Sequence, residues 1–336
     1  MEANPNVMVL AEIRNGKVHD LTWEMITWGR KLAGKLGVKV DCAVLGARQD
    51  DFQKLVHWGA DRVLVVTGGK PDGFLVTSAA RLLLETIRAE QPGIVIAPAT
   101  TFGRTVMPIT AARLATGLTA DCTELDIDPK DNLLLQTRPA IGGNIMATIK
   151  TARTKPQMAT VRPRSIKPGV YDRSRRGEVI TRQYNTGDNW QEKLVSFVRH
   201  EEKDINLENA DIVVTGGKGM KNKENYLLLG ELADLLGAGL GATRVAVEAG
   251  WAPFARQIGL TGKTVSPKVY IAAGVSGKIQ HLAGMITSEY VIAINEDVDS
   301  QIFNVADLGI IGDAPTVIAH LIQAVKAQKK TNGRHG

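Results

Sequence analysis

Hydrophobic and polar positions alternate between two textures along the first part of the chain. Short aliphatic runs occupy Val7 to Ile13, Val38 to Leu45, Arg62 to Val66 and Gly93 to Ala97. The longer segments between them, Leu21 to Leu36, Asp50 to Trp58 and Gly73 to Ala89, repeat apolar residues at helical spacing, and Gly37 and Gly59 follow two of them as stops. Nearly unbroken aliphatic runs suit strands covered on both faces. Their alternation with helices predicts β-α-β units wound on both sides of a mainly parallel sheet.

Thr100-Thr-Phe-Gly-Arg-Thr-Val-Met-Pro108 follows the fourth run and is expected to open a helix over Ile109 to Ala115 at the carboxyl edge of that sheet. Arg104 there suits either an anion or partner site or the exposed arginine of a capping turn. From Thr123 to Arg162 the texture turns strand-rich, with LLLQTRPAIGG, NIMATIK and PQMATVRP broken by Gly and Pro, and predicts a meander completing the first sheet. Residues 163–208 are more polar and carry the basic run Arg173-Ser-Arg-Arg176, which reads as a connector with a solvated face.

A second α/β pattern begins at Asp211-Ile-Val-Val-Thr215. It continues through a helix at Glu224 to Leu236 and strands near Thr243 to Val247, Val269 to Ala273, Tyr290 to Asn295 and Leu308 to Ile311. A last helix follows from Ala314 to Lys329, with Asp313 as N-cap and Pro315 in its first turn. The predicted fold class is α/β, with two doubly wound, mainly parallel-sheet, Rossmann-like domains. The first covers 1–208, including a polar connector at about 163–208, and the second covers 209–336.

Composition narrows the function classes. A chain of 336 residues exceeds the usual single core, and 44% hydrophobic with 23% charged residues is ordinary for a globular protein. Lysines and arginines exceed acids by a net charge of +6, but they are interleaved with acids and not gathered into a stripe, which argues against nucleic-acid binding. Cys42 and Cys122 form no CxxC pair and read as core thiols of a reducing compartment. The N-terminus enters a strand-like run directly, and no apolar stretch reaches the roughly 18 residues of a membrane span, so the expected location is cytoplasmic, or organellar after processing, without membrane insertion.

Sequences G-x-S-x-G, Walker A, H-E-x-x-H and a G-x-G-x-x-G at the first strand are absent, and no catalytic residue or metal ligand is assigned. The second pattern instead has three glycine-rich turns that a parallel sheet would gather at its carboxyl edge. In Thr215-Gly-Gly-Lys-Gly-Met220 the glycines would let a ligand approach the backbone, with Lys218 adding charge. Gly241-Ala-Thr-Arg244 and Ile258-Gly-Leu-Thr-Gly262 add the hydroxyls of Thr243 and Thr261 and the guanidinium of Arg244, which suits a phosphate, an aromatic ring or plain solvent. Gly274-Val-Ser-Gly277 precedes an expected helix whose N–H groups and positive end, with the Ser276 hydroxyl, suit a pyrophosphate. His281 within that helix reads either as a satisfied core histidine or as a group beside the ligand.

The segment KVYIAAGVSGKIQHLAGM, continued by VIAINED and QIFNVADLGIIGD, resembles the signature of the electron transfer flavoprotein α (large) subunit. GGKG with KENYLLLGELADLLGA, GATRVAVEAGW, TGKTV, TTFGRTVMP, TGLTADCT, TRPAIGGNIMA and PQMATVRP resemble that family in order and spacing. The resemblance implies a heterodimer in which the first domain packs on a β subunit carrying AMP or a second FAD. It implies FAD in the C-terminal domain, held in an extended form. Ser276, Gly277, Lys278, Ile279, Gln280 and His281 would take the pyrophosphate and one flavin edge, His281 approaching O2. Asn295 and Asp313 would lie at the adenosine part, and Ala314 would also belong to the cofactor-binding set. Arg244 would cover the isoalloxazine with Thr243 beside it, while Ile258, Gly259, Leu260 and Thr261 would form a loop from which Thr261 bonds near N5 or O4.

Two departures accompany the resemblance: Lys218 stands where many members have arginine, and Leu260 stands where many have glutamine. The implied activity is electron transfer from an acyl-CoA-type dehydrogenase of fatty acid β-oxidation to a membrane quinone reductase. The first domain resembles forms that bifurcate electrons from NADH to ferredoxin and an enoyl-CoA-type acceptor. Rival readings of the same residues are a nucleotide-binding module without flavin and a stand-alone flavoenzyme.

Overall fold

The computed structural model describes residues 5–14, 17–46, 51–68, 76–140, 145–184, 207 and 210–332, and the chain divides into two compact units, 1–198 and 199–336. The boundary read at 208/209 and residues 185–206 of the connector lie outside the described residues.

In the first unit seven strands lie side by side in the order Glu178–Gln183, Arg62–Thr67, Val40–Leu45, Val7–Leu10, Ile94–Pro98, Gln157–Val161 and Leu118–Cys122. Every neighbouring pair is parallel. Burial on both faces accounts for the apolar runs. Val7 and Val9 pack into a layer with Met25, Ile26 and Leu32 of the helix Leu21–Leu36. Met8 and Leu10 pack into the opposite layer with Leu83 of Val76–Glu90 and Met107 of Thr101–Leu114.

Three expectations for this unit are corrected. The helix expected at Ile109 begins at Thr101, because Thr100 caps it: the Thr100 hydroxyl accepts from the Gly103 N–H at 3.2 Å, and Pro108 is accommodated inside. The meander does not complete the first sheet. Glu124–Ile127, Leu134–Pro139 and Met146–Ile149 make a separate antiparallel sheet, and only Gln157–Val161 enters the large one, in parallel. Finally, the segment read as connector contains the edge strand Glu178–Gln183, whose polar, largely exposed side chains befit an edge and hide it from an apolar pattern search.

The second unit holds a five-stranded parallel sheet in the order Gly239–Ala242, Ile212–Gly216, Val269–Ala273, Tyr290–Asn295, Leu308–Ile311. One face is covered by the helices Lys223–Leu236 and Ala314–Asn332 through Tyr226, Leu229, Leu232, Ile318 and Ile322. The other is covered by shorter pieces that bring Ile258, Val265, Met285 and Ile302 against Tyr270. The strand expected at Thr243 to Val247 is instead Gly239–Ala242, followed by the short helix Arg244–Glu248. Its glycines give no alternating pattern. They are needed because a Cβ on Gly241 would lie 2.4 Å from Ile258 and 2.7 Å from the Thr215 hydroxyl.

Candidate functional site

The carboxyl ends of the five strands of the second unit share one edge, and the order of the sheet reverses between Ile212–Gly216 and Val269–Ala273. Open α/β sheets bind ligands outside such a reversal. Two of the glycine turns meet there, but they serve each other. The Gly217 N–H donates to the Ala273 carbonyl and the Gly219 N–H to the Gly274 carbonyl, both at 2.9 Å. A Cβ on Gly217 would fall 2.4 Å from the Gly274 oxygen, and one on Gly219 would fall 2.6 Å from the Gly274 Cα. The glycines of Thr215 to Met220 therefore permit two backbones to touch, where the sequence suggested room for a ligand. Lys218 stays exposed on that turn.

The turn after Val269–Ala273 is different. Among the described residues, the N–H groups of Ser276, Gly277 and Lys278 have no protein acceptor, and the side chains of Ser276, Lys278, Ile279 and Gln280 are exposed. The Ser276 carbonyl points the other way, accepting from the Ile302 N–H at 3.2 Å and the Ser300 hydroxyl at 3.1 Å. Asn295 braces this arrangement, donating to the Val275 carbonyl at 2.9 Å and to Ser300 Oγ at 3.0 Å. The expected helix amounts to the single turn Ile279–Leu282, too short for a useful dipole, so the turn's capacity for an anion rests on its backbone donors.

The loop through Ile258, Gly259, Leu260 and Thr261 lies against this turn, the Leu260 N–H donating to the Gln280 carbonyl at 2.7 Å. Gly259 takes φ 143°, and Gly284 packs so closely that a Cβ there would sit 2.5 Å from the Gly259 nitrogen. Buried Gln257 donates through Nε2 to Thr261 Oγ1 at 2.9 Å, which leaves the Thr261 hydroxyl proton free to donate outward. Leu260 and Ile279 are exposed beside it, at 67% and 53%.

His281 faces inward. It is 7% exposed, with Nδ1 3.1 Å from the Ile258 carbonyl and Nε2 3.0 Å from the Tyr270 hydroxyl. Burial pushes its imidazole down to about 4. Both ring nitrogens are thus used within the protein, which is the core-histidine alternative.

At the rim, Thr243 precedes the helix Arg244–Glu248, its Oγ1 buried with no partner, and exposed Arg244 reaches Glu248 at 2.7 Å. Asp313 accepts from the Thr316 hydroxyl at 2.7 Å and is paired with Lys221; the Lys221 hydrogen bond holds its carboxyl below the usual range. Ala314 is buried in the helix layer. Three residues shape the site without having been singled out in the sequence: Gln257, Tyr270 and Ser300. Gln257 and Ser300 sit in irregular segments, and Tyr270 sits inside an apolar run where it reads as core.

In the first unit Arg104 lies 2.9 Å from Asp121, which also accepts from Arg162 Nε at 3.1 Å. The possible anion site at Arg104 is thus supplied with a carboxylate of the chain itself. No cluster of His, Cys, Asp and Glu suited to a metal occurs among the described residues, and none of their helices is long and apolar enough to cross a membrane.

Residues 7–186 match the electron transfer flavoprotein domain, and residues 206–286 match the electron transfer flavoprotein FAD-binding domain. The electron transfer flavoprotein subunit alpha of Thermoanaerobacterium thermosaccharolyticum is 44% identical over 96% of this chain and 98% of its own length. The protein FixB of Clostridium saccharobutylicum is 41% identical over 95% and 96%. The acryloyl-CoA reductase electron transfer subunit beta of Anaerotignum propionicum is 38% identical over 96% of both. Two family matches, one in each α/β unit, with relatives of this identity over nearly the full length, establish that the chain belongs to the electron transfer flavoprotein family, as an α subunit.

Proposed function

We propose that the second unit binds FAD along the carboxyl edge of its sheet and that the chain, paired with a β subunit, relays electrons from a dehydrogenase to a downstream acceptor. The observation that carries this reading is the row of three successive backbone donors at Ser276, Gly277 and Lys278, in a turn whose other side is fixed by Asn295 and Ser300. Such a donor set fits a pyrophosphate. The unpartnered Thr243 hydroxyl and the free proton of Thr261 fit the polar edge of a flavin.

In this assignment Ser276 to Lys278 hold the pyrophosphate, Gln280 and Thr261 contribute hydrogen bonds at the flavin edge, and Leu260 and Ile279 cover apolar surface. Bound FAD supplies the one- and two-electron chemistry that protein side chains lack. Arg244, Lys218 and Lys278 surround the edge with positive charge, which favours the more negative, reduced cofactor. Asn295 braces the turn, and Asp313 caps the last helix and tethers Lys221; both lie where the adenosine part is proposed.

For the partner we infer a dehydrogenase acting on CoA thioesters, supported by the relative named as an acryloyl-CoA reductase subunit. The resemblance of the first domain to bifurcating forms extends the proposal to a complex with NADH as donor and ferredoxin as second acceptor. A cytoplasmic setting accords with the buried free thiols Cys42 and Cys122. The test is co-purification with the β subunit and absorbance at about 450 nm, where oxidised flavin absorbs. A complex that is colourless and stays so after addition of FAD refutes the proposal. Two FAD per heterodimer would mark the bifurcating form, while one FAD would mark the simple carrier; turnover by this chain without β would support the stand-alone enzyme instead.

A further inference from the structure

Tyr270 is fully buried in the strand Val269–Ala273, on the face covered by the loop and the one-turn helix. Its hydroxyl, the His281 ring and the Ile258 carbonyl form a continuous line of hydrogen bonds at 3.0 and 3.1 Å. The direction of that line is fixed by chemistry. A carbonyl only accepts, so His281 Nδ1 carries the proton. In a neutral ring Nε2 is then bare, so the Tyr270 O–H must donate to it. Burial opposes the alternative, a charged imidazolium donating from both nitrogens.

The far end of the line is the residue that begins the flavin-edge loop. The Ile258 N–H is held by Ala242 at 2.9 Å, and the next residue, Gly259, leaves ordinary backbone space at φ 143°. Fixing the Ile258 carbonyl therefore sets where the chain turns before it presents the Leu260 N–H to Gln280 and the Thr261 hydroxyl outward. We propose that Tyr270 is a positioning residue for the cofactor: through His281 it locks one imidazole tautomer and the loop Ile258 to Gly262, and it acts on bound FAD only by way of that loop. The inference rests on the assignment of FAD to this edge.

The test uses the co-purified heterodimer with imidazole-15N-labelled histidine. The six histidines are distinguished by a His281→Gln variant, which removes one set of resonances. The expected wild-type result at about pH 7 is a neutral His281 protonated at Nδ1. In Tyr270→Phe its Nε2 resonance should move toward that of a nitrogen without a donor. FAD should leave about threefold to tenfold faster, which is what one hydrogen bond is worth, with an unchanged circular dichroism spectrum. A wild-type His281 protonated at Nε2 or charged overturns the relay. So does a Phe variant that holds FAD as the wild type does. If the Phe variant does not fold, the wild-type tautomer decides. A wild-type complex that binds no FAD refutes the flavin assignment, and the tautomer still decides whether the relay exists.

Discussion

Replacing Gly277 by alanine tests the turn proposed to hold the pyrophosphate at its most constrained point. The residue has φ 76°, and a Cβ there would lie 2.2 Å from the Ile302 nitrogen, 2.6 Å from its Cα and 2.7 Å from the Gln301 carbonyl carbon. All three are backbone atoms, so no side-chain rotation relieves the contact, and the segment must move by about 1 Å to reach an ordinary separation. That movement breaks the 3.2 Å bond from the Ile302 N–H to the Ser276 carbonyl and disturbs the Ser300 hydroxyl that shares the same acceptor. The left-handed backbone costs roughly 1–2 kcal/mol for alanine and the lost bond roughly 1 kcal/mol more, so with residual strain the total is about 3–4 kcal/mol. Gly237→Ala is the control: its φ is 62° but nothing lies within 4 Å of the added methyl. It should cost only about 1 kcal/mol and leave the flavin in place. Urea unfolding of each chain and flavin content of each heterodimer are the assays. A Gly277→Ala complex with full flavin and less than about 0.5 kcal/mol of lost stability would refute the account of this turn.

Further predictions concern the first unit. Burial raises the Glu24 carboxyl from 4.5 to about 7, where it accepts from the Arg164 N–H at 2.7 Å. The folded form therefore binds more protons than the unfolded one between those values, and stability falls as pH rises through that window by at most roughly 3 kcal/mol. Glu24→Gln keeps an acceptor without the charge and should flatten the fall, whereas parallel urea midpoints from acid to neutral pH would count against it. Asp121→Asn leaves Arg162, 4% exposed, without its carboxylate and should cost about 3–5 kcal/mol in urea unfolding; a loss under about 1 kcal/mol would show the pair to be dispensable. Gln136 is fully buried, and neither atom of its amide has a partner among the described residues. Gln136→Leu should therefore be neutral or stabilising by about 1–2 kcal/mol, and a clear drop in melting temperature would contradict it.

How much of this was legible in the sequence depended on where each residue's energy comes from. Strands buried on both faces declare themselves, and Val269–Ala273 has the bounds that its apolar run suggests. Glu178–Gln183 does not, because an edge strand gains its stability from backbone pairing to Arg62–Thr67 and shows solvent a polar surface. Gly239–Ala242 is hidden for the opposite reason: at Gly241 its neighbours press so close that no side chain fits, and the apolar run is broken. At the site, sequence located the three turns but not their division of labour. Glycine reads alike whether it admits a ligand or a second backbone, and the contact of Gly219 with Gly274 spans residues far apart in the chain.

The same distinction bears on how the second unit can tune a cofactor. One face of its sheet is rigidly covered by two long helices, whereas the face carrying Tyr270 is closed by a loop, a single helical turn and the short segment Gln301–Val305. Short pieces have little secondary structure of their own to hold them, so their position depends on specific bonds: Asn295 to Val275, Ser300 to Ser276, Gln257 to Thr261, and Tyr270 through His281 to Ile258. The charged groups at the rim are exposed, and Arg244 is already paired with Glu248, so solvent and salt weaken their influence. Backbone donors and buried hydrogen bonds are screened far less. Control of a bound flavin in this unit should therefore come chiefly from how these bonds hold the backbone. The residues with most leverage are then those whose side chains point away from the cofactor.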